Sequence, residues 1–233
     1  MSRVTTSSAA VLGAGIGGLA AAIRLRLKGY DVRVFEQNAY PGGKLTSIQL
    51  GEYRFDAGPS LCTLPDKIDA VFLAAGRDPR EYISYKPLEE SCRYFWEDGT
   101  VFCGLENPQE FAAAAHETFG VDARKVLAHL ADSRNTWETT RELFLERSLH
   151  KPSTYTEANT FRALAKTPPN KLFSTLNKHN ERLEHPKLIQ IFNRFATYNG
   201  SDPYRAPAML SLIPHLEHGI GAVFPEGGMH AIT

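Results

Sequence analysis

Gly13, Gly15 and Gly18 stand in a Gly-x-Gly-x-x-Gly pattern directly after the apolar run Ala9–Leu12, and Glu36 closes the next alternating run. Those residue types at that spacing can hold a dinucleotide. Gly13 permits a tight turn, Gly15 lets the backbone approach a pyrophosphate, and Gly18 lets a helix pack close to the sheet. Glu36 is a carboxylate at the distance where an acid accepts the hydroxyls of a ribose. The elements that must position them form a βαβ unit. Ala9–Leu12 reads as a buried parallel strand and Tyr30–Phe35 as its neighbour. Between them, Ile16–Leu27 reads as a helix whose free N-terminal N–H groups and dipole favour phosphate.

FAD and NAD share an ADP half, so this motif leaves the cofactor open. The residues that follow bear on the choice. Gly42-Gly43-Lys44, just past Glu36, places flexible backbone and a cation where a second part of the cofactor would lie. Tyr53-Arg54-Phe55-Asp56 then reads as a short strand running into the small-residue loop Ala57-Gly58-Pro59-Ser60.

Taken together, Gly13–Ala22 (GAGIGGLAAA), Glu36-x5-Gly42-Gly43-Lys44 and Phe55–Ser60 (FDAGPS) resemble the N-terminal flavin domain of the phytoene desaturase-type carotenoid desaturases. These belong to the superfamily of flavin amine oxidases, protoporphyrinogen oxidases and Rab GDP-dissociation inhibitors. The likeness continues in Asn199–Pro207 (NGSDPYRAP) and Val223–Met229 (VFPEGGM), which are closer to the carotenoid branch. The resemblance implies FAD as cofactor. Gly13, Gly15 and Gly18 would hold its pyrophosphate and Glu36 its adenosine ribose. Gly43 and Lys44 would lie near the pyrophosphate or ribityl chain, and Asp56, Gly58 and Pro59 would line the flavin side. The family often carries Arg at the position of Lys44; Lys keeps the charge and loses the bidentate fork.

The implied architecture is α/β: a Rossmann-like FAD-binding domain of the GR2 type with an inserted α+β substrate domain, truncated at the C-terminus. The boundaries expected are 1–75 for the FAD-binding segment and 76–233 for the partial substrate domain. The implied activity is desaturation of an acyclic carotenoid, phytoene or a later hydroxylated one. The resemblance also admits a flavin amine or protoporphyrinogen oxidase, or a prenyl-binding carrier without flavin chemistry.

Composition narrows the classes. Lys+Arg and Asp+Glu are balanced at 26 each, so no basic field marks nucleic acid as a partner. Cys62, Cys92 and Cys103 lack metal-ligand spacing and fit buried thiols in a reducing cytosol. The eight histidines show no metal signature, and no metal is expected. No apolar run reaches the length of a membrane span. A long polyene substrate dissolves only in a membrane, so the resemblance implies a cytoplasmic protein in peripheral contact with that face of the membrane. Nothing in the composition points to a particular oligomer.

Along the rest of the chain, Pro65–Ala75 reads as a helix ended by Gly76. Asp98-Gly99, between aromatic and β-branched runs, marks a hairpin. Asn107 reads as the cap of a helix starting at Pro108, and Asp122 as the cap of one reaching about Glu146. A polar stretch from His150 to Asn170, with a short segment at 160–166, precedes helices expected at Lys171–Leu183, Pro186–Tyr198 and Pro207–His218. Phe144, Tyr155, Phe161, Phe173, Phe192, Phe195 and Tyr198, among Lys151, Arg162, Lys166, Lys171 and Lys178, admit two readings: a basic apolar flap resting on a membrane, or a core with a solvated face. A helix opening at Met229 stops without a C-cap, and the chain reads as an N-terminal fragment. Flavin chemistry calls for no catalytic triad, and none is found. Glu217 and His218 lie where they could approach substrate; no catalytic base is assigned.

Overall fold

The computed structural model describes residues 7–148, 150–156 and 167–233, the side chains of Phe144 and Tyr155 excepted. The chain divides into two compact units: one runs up to Leu88 and takes in Ala222–Thr233, and the other is Glu89–Gly221. The division expected after residue 75 is therefore displaced, and the end of the chain belongs with the first unit. The reason is strand pairing. β5 (Tyr85–Pro87) has no partner nearby in sequence and pairs antiparallel with β8 (Val223–Pro225).

In the first unit, β1 (Ser8–Leu12) and β2 (Asp31–Phe35) are parallel, with Ser8 opposite Asp31 and Leu12 opposite Phe35. A parallel pair needs a crossover, and the 12 residues of α1 (Ile16–Leu27) supply it. β3 (Ser47–Leu50) and β4 (Tyr53–Asp56) form an antiparallel hairpin. α2 (Pro65–Ala74) starts with a proline, whose missing N–H costs nothing there, and ends at Gly76 as expected. Cys62 packs with Leu45 and Met229 in a small core that Ile68, Val223 and Ile232 flank. Burial raises its thiol pKa to about 11, so it behaves as a small hydrophobe.

In the second unit, β6 (Glu90–Phe95) and β7 (Val101–Leu105) form the expected hairpin, with Gly99 at φ +81° in its turn. Asn107 caps α3 (Pro108–Phe119) by accepting from the N–H groups of Gln109 and Glu110. Asp122 caps α4 (Ala123–Arg141), which buries Val126, Leu130 and Trp137. The α-helix ends at Arg141, short of the expected Glu146, because Glu142–Glu146 widens into a π-helical turn.

The helix expected over 171–183 is two pieces, Pro169–Phe173 and Leu176–Asn180. Ser174–Leu176 is pulled out of helical geometry by pairing with Ala206–Ala208: Leu176 N–H donates to the Ala206 carbonyl (2.9 Å), and Ala208 N–H to that of Ser174 (2.8 Å). Pro186–Asn193 is α-helical and continues as a tighter 3-10 helix to Asn199. Leu216–Gly221 is a wide turn kinked at His218. The segment expected at 160–166 lies outside the described residues.

The aromatics of this region divide: Phe192 and Phe195 are core residues and Tyr198 is 38% exposed, while Phe161 and the side chains of Phe144 and Tyr155 lie outside the described residues. Phe192 and Phe195 are fully buried; Phe192 meets Phe111 edge-on and Phe195 at a tilt. Phe173 differs: its side chain is 88% exposed. Lys171, read as a surface cation, is 1% exposed. Its Nζ donates to Asp132 Oδ2 and Ser211 Oγ, both at 2.6 Å, and Arg182 pairs with the same carboxylate. Glu217 is also fully buried and accepts from Ser91 Oγ (2.8 Å), Arg194 Nη2 (2.7 Å) and Tyr198 Oη (2.5 Å).

Two buried imidazoles set a pH dependence. Burial pushes His218 from 6.5 down to about 4, and lowers His129 well below 6.5. The unfolded rings take up protons that the folded rings resist. Stability is therefore full above pH 6.5 and falls as the pH drops toward 4. Between pH 7.5 and 5 His218 alone should cost about 2 kcal/mol. Urea midpoints measured across that range should decline steadily; a flat profile would show that these rings are not buried neutral.

Candidate functional site

The glycine motif folds into the expected turn. Gly13 adopts φ +97°, and its N–H donates to the Phe35 carbonyl at 2.7 Å, tying the turn to the end of β2. Gly15 begins α1, whose N-terminus has no side-chain cap and no acid in its first turn, so its N–H groups are free for a phosphate. Gly18 is the tightest position. A Cβ there would lie 2.0 Å from the Gly13 carbonyl oxygen, whereas one on Gly17 would meet nothing within 4 Å.

The second glycine pair comes onto this turn. Gly42 N–H donates to the Ala14 carbonyl at 2.8 Å, and Gly15 and Gly42 form an isolated parallel bridge. A Cβ on Gly43 would stand 3.3 Å from the Gly15 Cα. A groove of about 640 Å³ results, lined by Leu12, Gly13, Gly15, Phe35, Glu36, Asn38 and Gly43 among others. Gly13, Gly15, Glu36 and Gly43 thus share one groove, with Gly18 behind it.

Glu36 stands at that groove already engaged. Oε2 accepts from the Ala14 N–H (2.7 Å), and Oε1 from the backbone N–H (2.9 Å) and Nδ2 (3.0 Å) of Asn38. These bonds, Asn38 first and Ala14 second, hold its pKa below the usual 4.5. A carboxylate offers about four acceptor sites, so one remains on Oε2 and the exposed Asn38 amide can yield another. Sequence reading had Glu36 free for two hydroxyls; it also braces the glycine turn.

The remaining expected residues are placed differently. Lys44 is exposed beside the groove. Gly58 packs against it: a Cβ there would lie 2.0 Å from the Lys44 carbonyl oxygen. Pro59 is exposed and does not line this groove. Asp56 turns both oxygens inward, accepting from Arg54 Nη2 (3.0 Å) and from the Met229 N–H (3.2 Å). It anchors the end of the chain.

That anchor gathers residues the sequence reading passed over. Gly228, at φ +90°, is where the Arg54 guanidinium lies; a Cβ would come within 2.4 Å of it. His230 Nε2 lies 3.0 Å from the Pro41 carbonyl, its ring against Gly42. The Phe-Pro-Glu-Gly-Gly-Met motif is thus a clasp that fastens β8 and the turn Met229–Ile232 onto β4 and the Gly42–Gly43 loop. Arg54 offered no periodic signal, but the paired glycines at 227 and 228 did mark a close approach. Among the described residues, no group of three His, Cys, Asp or Glu side chains is placed to hold a metal ion.

Residues 11–72 match the model of the NAD(P)-binding Rossmann-like domain. Over 97% of its length the chain is 47% identical to a 1-hydroxycarotenoid 3,4-desaturase of Flavobacterium sp. (strain P99-3), covering 46% of that protein. Along nearly its whole length the chain is thus similar to about half of a carotenoid desaturase. A carotenoid 3,4-desaturase of Haloarcula japonica is 29% identical over 100% of the chain and 47% of its own length. The chain therefore spans about half the length of the curated relatives it matches. Among solved structures, a putrescine oxidase variant superposes with a TM-score of 0.58 at 14% identity, over 97% of this chain and 47% of that one. At that identity the likeness concerns the fold, a Rossmann-like domain with a mixed helix and strand unit.

Proposed function

We propose that this protein is an FAD-dependent desaturase of an acyclic, hydroxylated carotenoid. The observation that carries the reading is the 47% identity along nearly the whole chain to a 1-hydroxycarotenoid 3,4-desaturase. The fold alone does not choose, since a putrescine oxidase shares it. The groove fits the ADP half of FAD. Its N-terminal helix turn is uncapped, its glycines leave the phosphate side open, and Glu36 keeps an acceptor for ribose.

In this reading Gly13, Gly15 and Gly43 offer backbone to the pyrophosphate, and Gly18 keeps α1 close enough to aim at it. Lys44 supplies a positive charge beside the phosphates or ribityl chain. Gly58 and Pro59 border the flavin side, and Asp56 acts through the clasp. FAD, when bound, would supply a hydride acceptor for a C–H bond of the polyene, while the neighbouring carbon loses a proton to solvent as the new C=C bond forms. The protein's part is to orient the chain and exclude water.

To test it, the full-length protein with FAD is offered acyclic carotenoids in liposomes and, in parallel, putrescine. Carotenoid products with one added double bond support the reading. Amine oxidation without carotenoid products would replace it with an amine oxidase.

The same proposal includes peripheral contact with the cytoplasmic face of a membrane. No helix among the described residues is long and apolar enough to cross one. Phe173 at 88% and Leu172 at 41% exposure project from the short helix Pro169–Phe173, which supports a surface contact. Phe173→Asp should reduce co-flotation with phospholipid vesicles several-fold. Unchanged flotation would remove this helix from the contact.

A further inference from the structure

The second unit holds a pocket of about 580 Å³ between α3, α4 and the Leu216–Gly221 turn. Pro108, Leu127, Leu130 and Ala131 give it an apolar wall, and the Arg134–Glu138 ion pair with Gln109 and His215 a polar one. His218 is also in the wall, 2% exposed. Its ring is fixed on both sides, with centroids 4.5 Å from Phe111 and 5.9 Å from Phe195. Nδ1 lies 2.8 Å from the Leu105 carbonyl, which can only accept, so Nδ1 carries the proton. Nε2 is then a bare acceptor, and it is buried with no hydrogen-bond partner.

A buried acceptor without a donor is costly, and native structures rarely keep one without a use. The ring cannot resolve this by taking a proton, because burial keeps it neutral at pH 7. What His218 Nε2 lacks is one hydrogen-bond donor, and the Leu127, Leu130 and Ala131 side of the pocket suits an apolar body behind that donor. We propose that this pocket receives the hydroxylated end of an isoprenoid chain and that His218 Nε2 accepts the hydrogen bond from its hydroxyl. The inference rests on the desaturase reading above and deepens it, by naming the residue that distinguishes a hydroxylated end from a plain hydrocarbon end.

Discrimination of this kind is large, because a substrate without the hydroxyl leaves the acceptor stranded. The test compares two probes, an acyclic carotenoid with a terminal hydroxyl and the same chain without it. Each is assayed for kcat/KM with the full-length protein. Wild type should prefer the hydroxylated probe by at least about 10-fold. His218→Phe, which keeps ring packing and removes the acceptor, should collapse that ratio toward one, mainly through KM. His218→Gln, which restores an acceptor oxygen, should recover part of it. A merely structural role would lower both rates and leave the ratio unchanged.

If His218→Phe fails to fold, ¹⁵N spectra of wild-type histidine decide: the Nε2 signal should move upfield with the hydroxylated probe alone. Equal rates on both probes, or a ratio unmoved by the variants, would overturn the inference and leave the desaturase reading standing. No reaction with either probe would overturn both.

Discussion

A Gly18→Val protein is expected to purify without flavin, while Gly17→Ala keeps it. The two glycines are adjacent on α1, yet a Cβ on Gly18 would lie 2.0 Å from the Gly13 carbonyl oxygen and one on Gly17 would touch nothing. Valine at 18 must push α1 away from the turn or rotate the Gly13 peptide. Either movement misplaces the N–H groups that face the phosphates. Each hydrogen bond to a charged group is worth about 1.5–3 kcal/mol, so losing two should weaken FAD binding by about 100-fold or more. Gly17→Ala should bind FAD normally and gain a little helix stability, within about 1 kcal/mol. Fluorescence titration with FAD measures both. Equal affinity in the two variants would mean that the groove at Gly13–Gly15 is not the phosphate site.

The second large effect is on stability. Glu217→Leu should destabilise the protein by about 3–5 kcal/mol, because it leaves the mostly buried Arg194 guanidinium without its carboxylate. The hydroxyls of Ser91 and Tyr198 lose their acceptor as well. Replacing both partners, as in Glu217→Leu with Arg194→Met, should recover much of that loss, since an apolar pair of similar volume removes the stranded charge. Urea denaturation of the two single variants and the double variant closes the cycle. Additive losses would show that the ion pair does not couple these positions.

What was legible in the sequence was local. The Gly13–Gly18 turn, α1 and β2 follow from residues within one βαβ span, and each level of signal agrees there: strand pattern, glycine spacing, helix length and the acid at 36. The caps at Asn107 and Asp122 and the hairpin at Asp98-Gly99 are local too. What was missed depends on distant partners. Asp56 and Met229 lie 173 residues apart, so the clasp left no periodic trace, and the return of 222–233 to the first unit shifted the expected boundary. Lys171 looked like a solvated cation because its partner Asp132 is on another helix. The helix expected over 171–183 has good local propensity, and the pairing of Ser174–Leu176 with Ala206–Ala208 overrides it. Asp56 was expected on family likeness to line the flavin side, and its hydrogen bonds to Arg54 and the Met229 N–H lay outside what the sequence could show.

The most direct measurement is the absorption spectrum of the purified full-length protein, with the cofactor then released and identified. The account predicts a flavin spectrum in wild type, FAD in the extract, and neither in Gly18→Val. A folded wild-type protein that carries no flavin and takes none up from added FAD would contradict it.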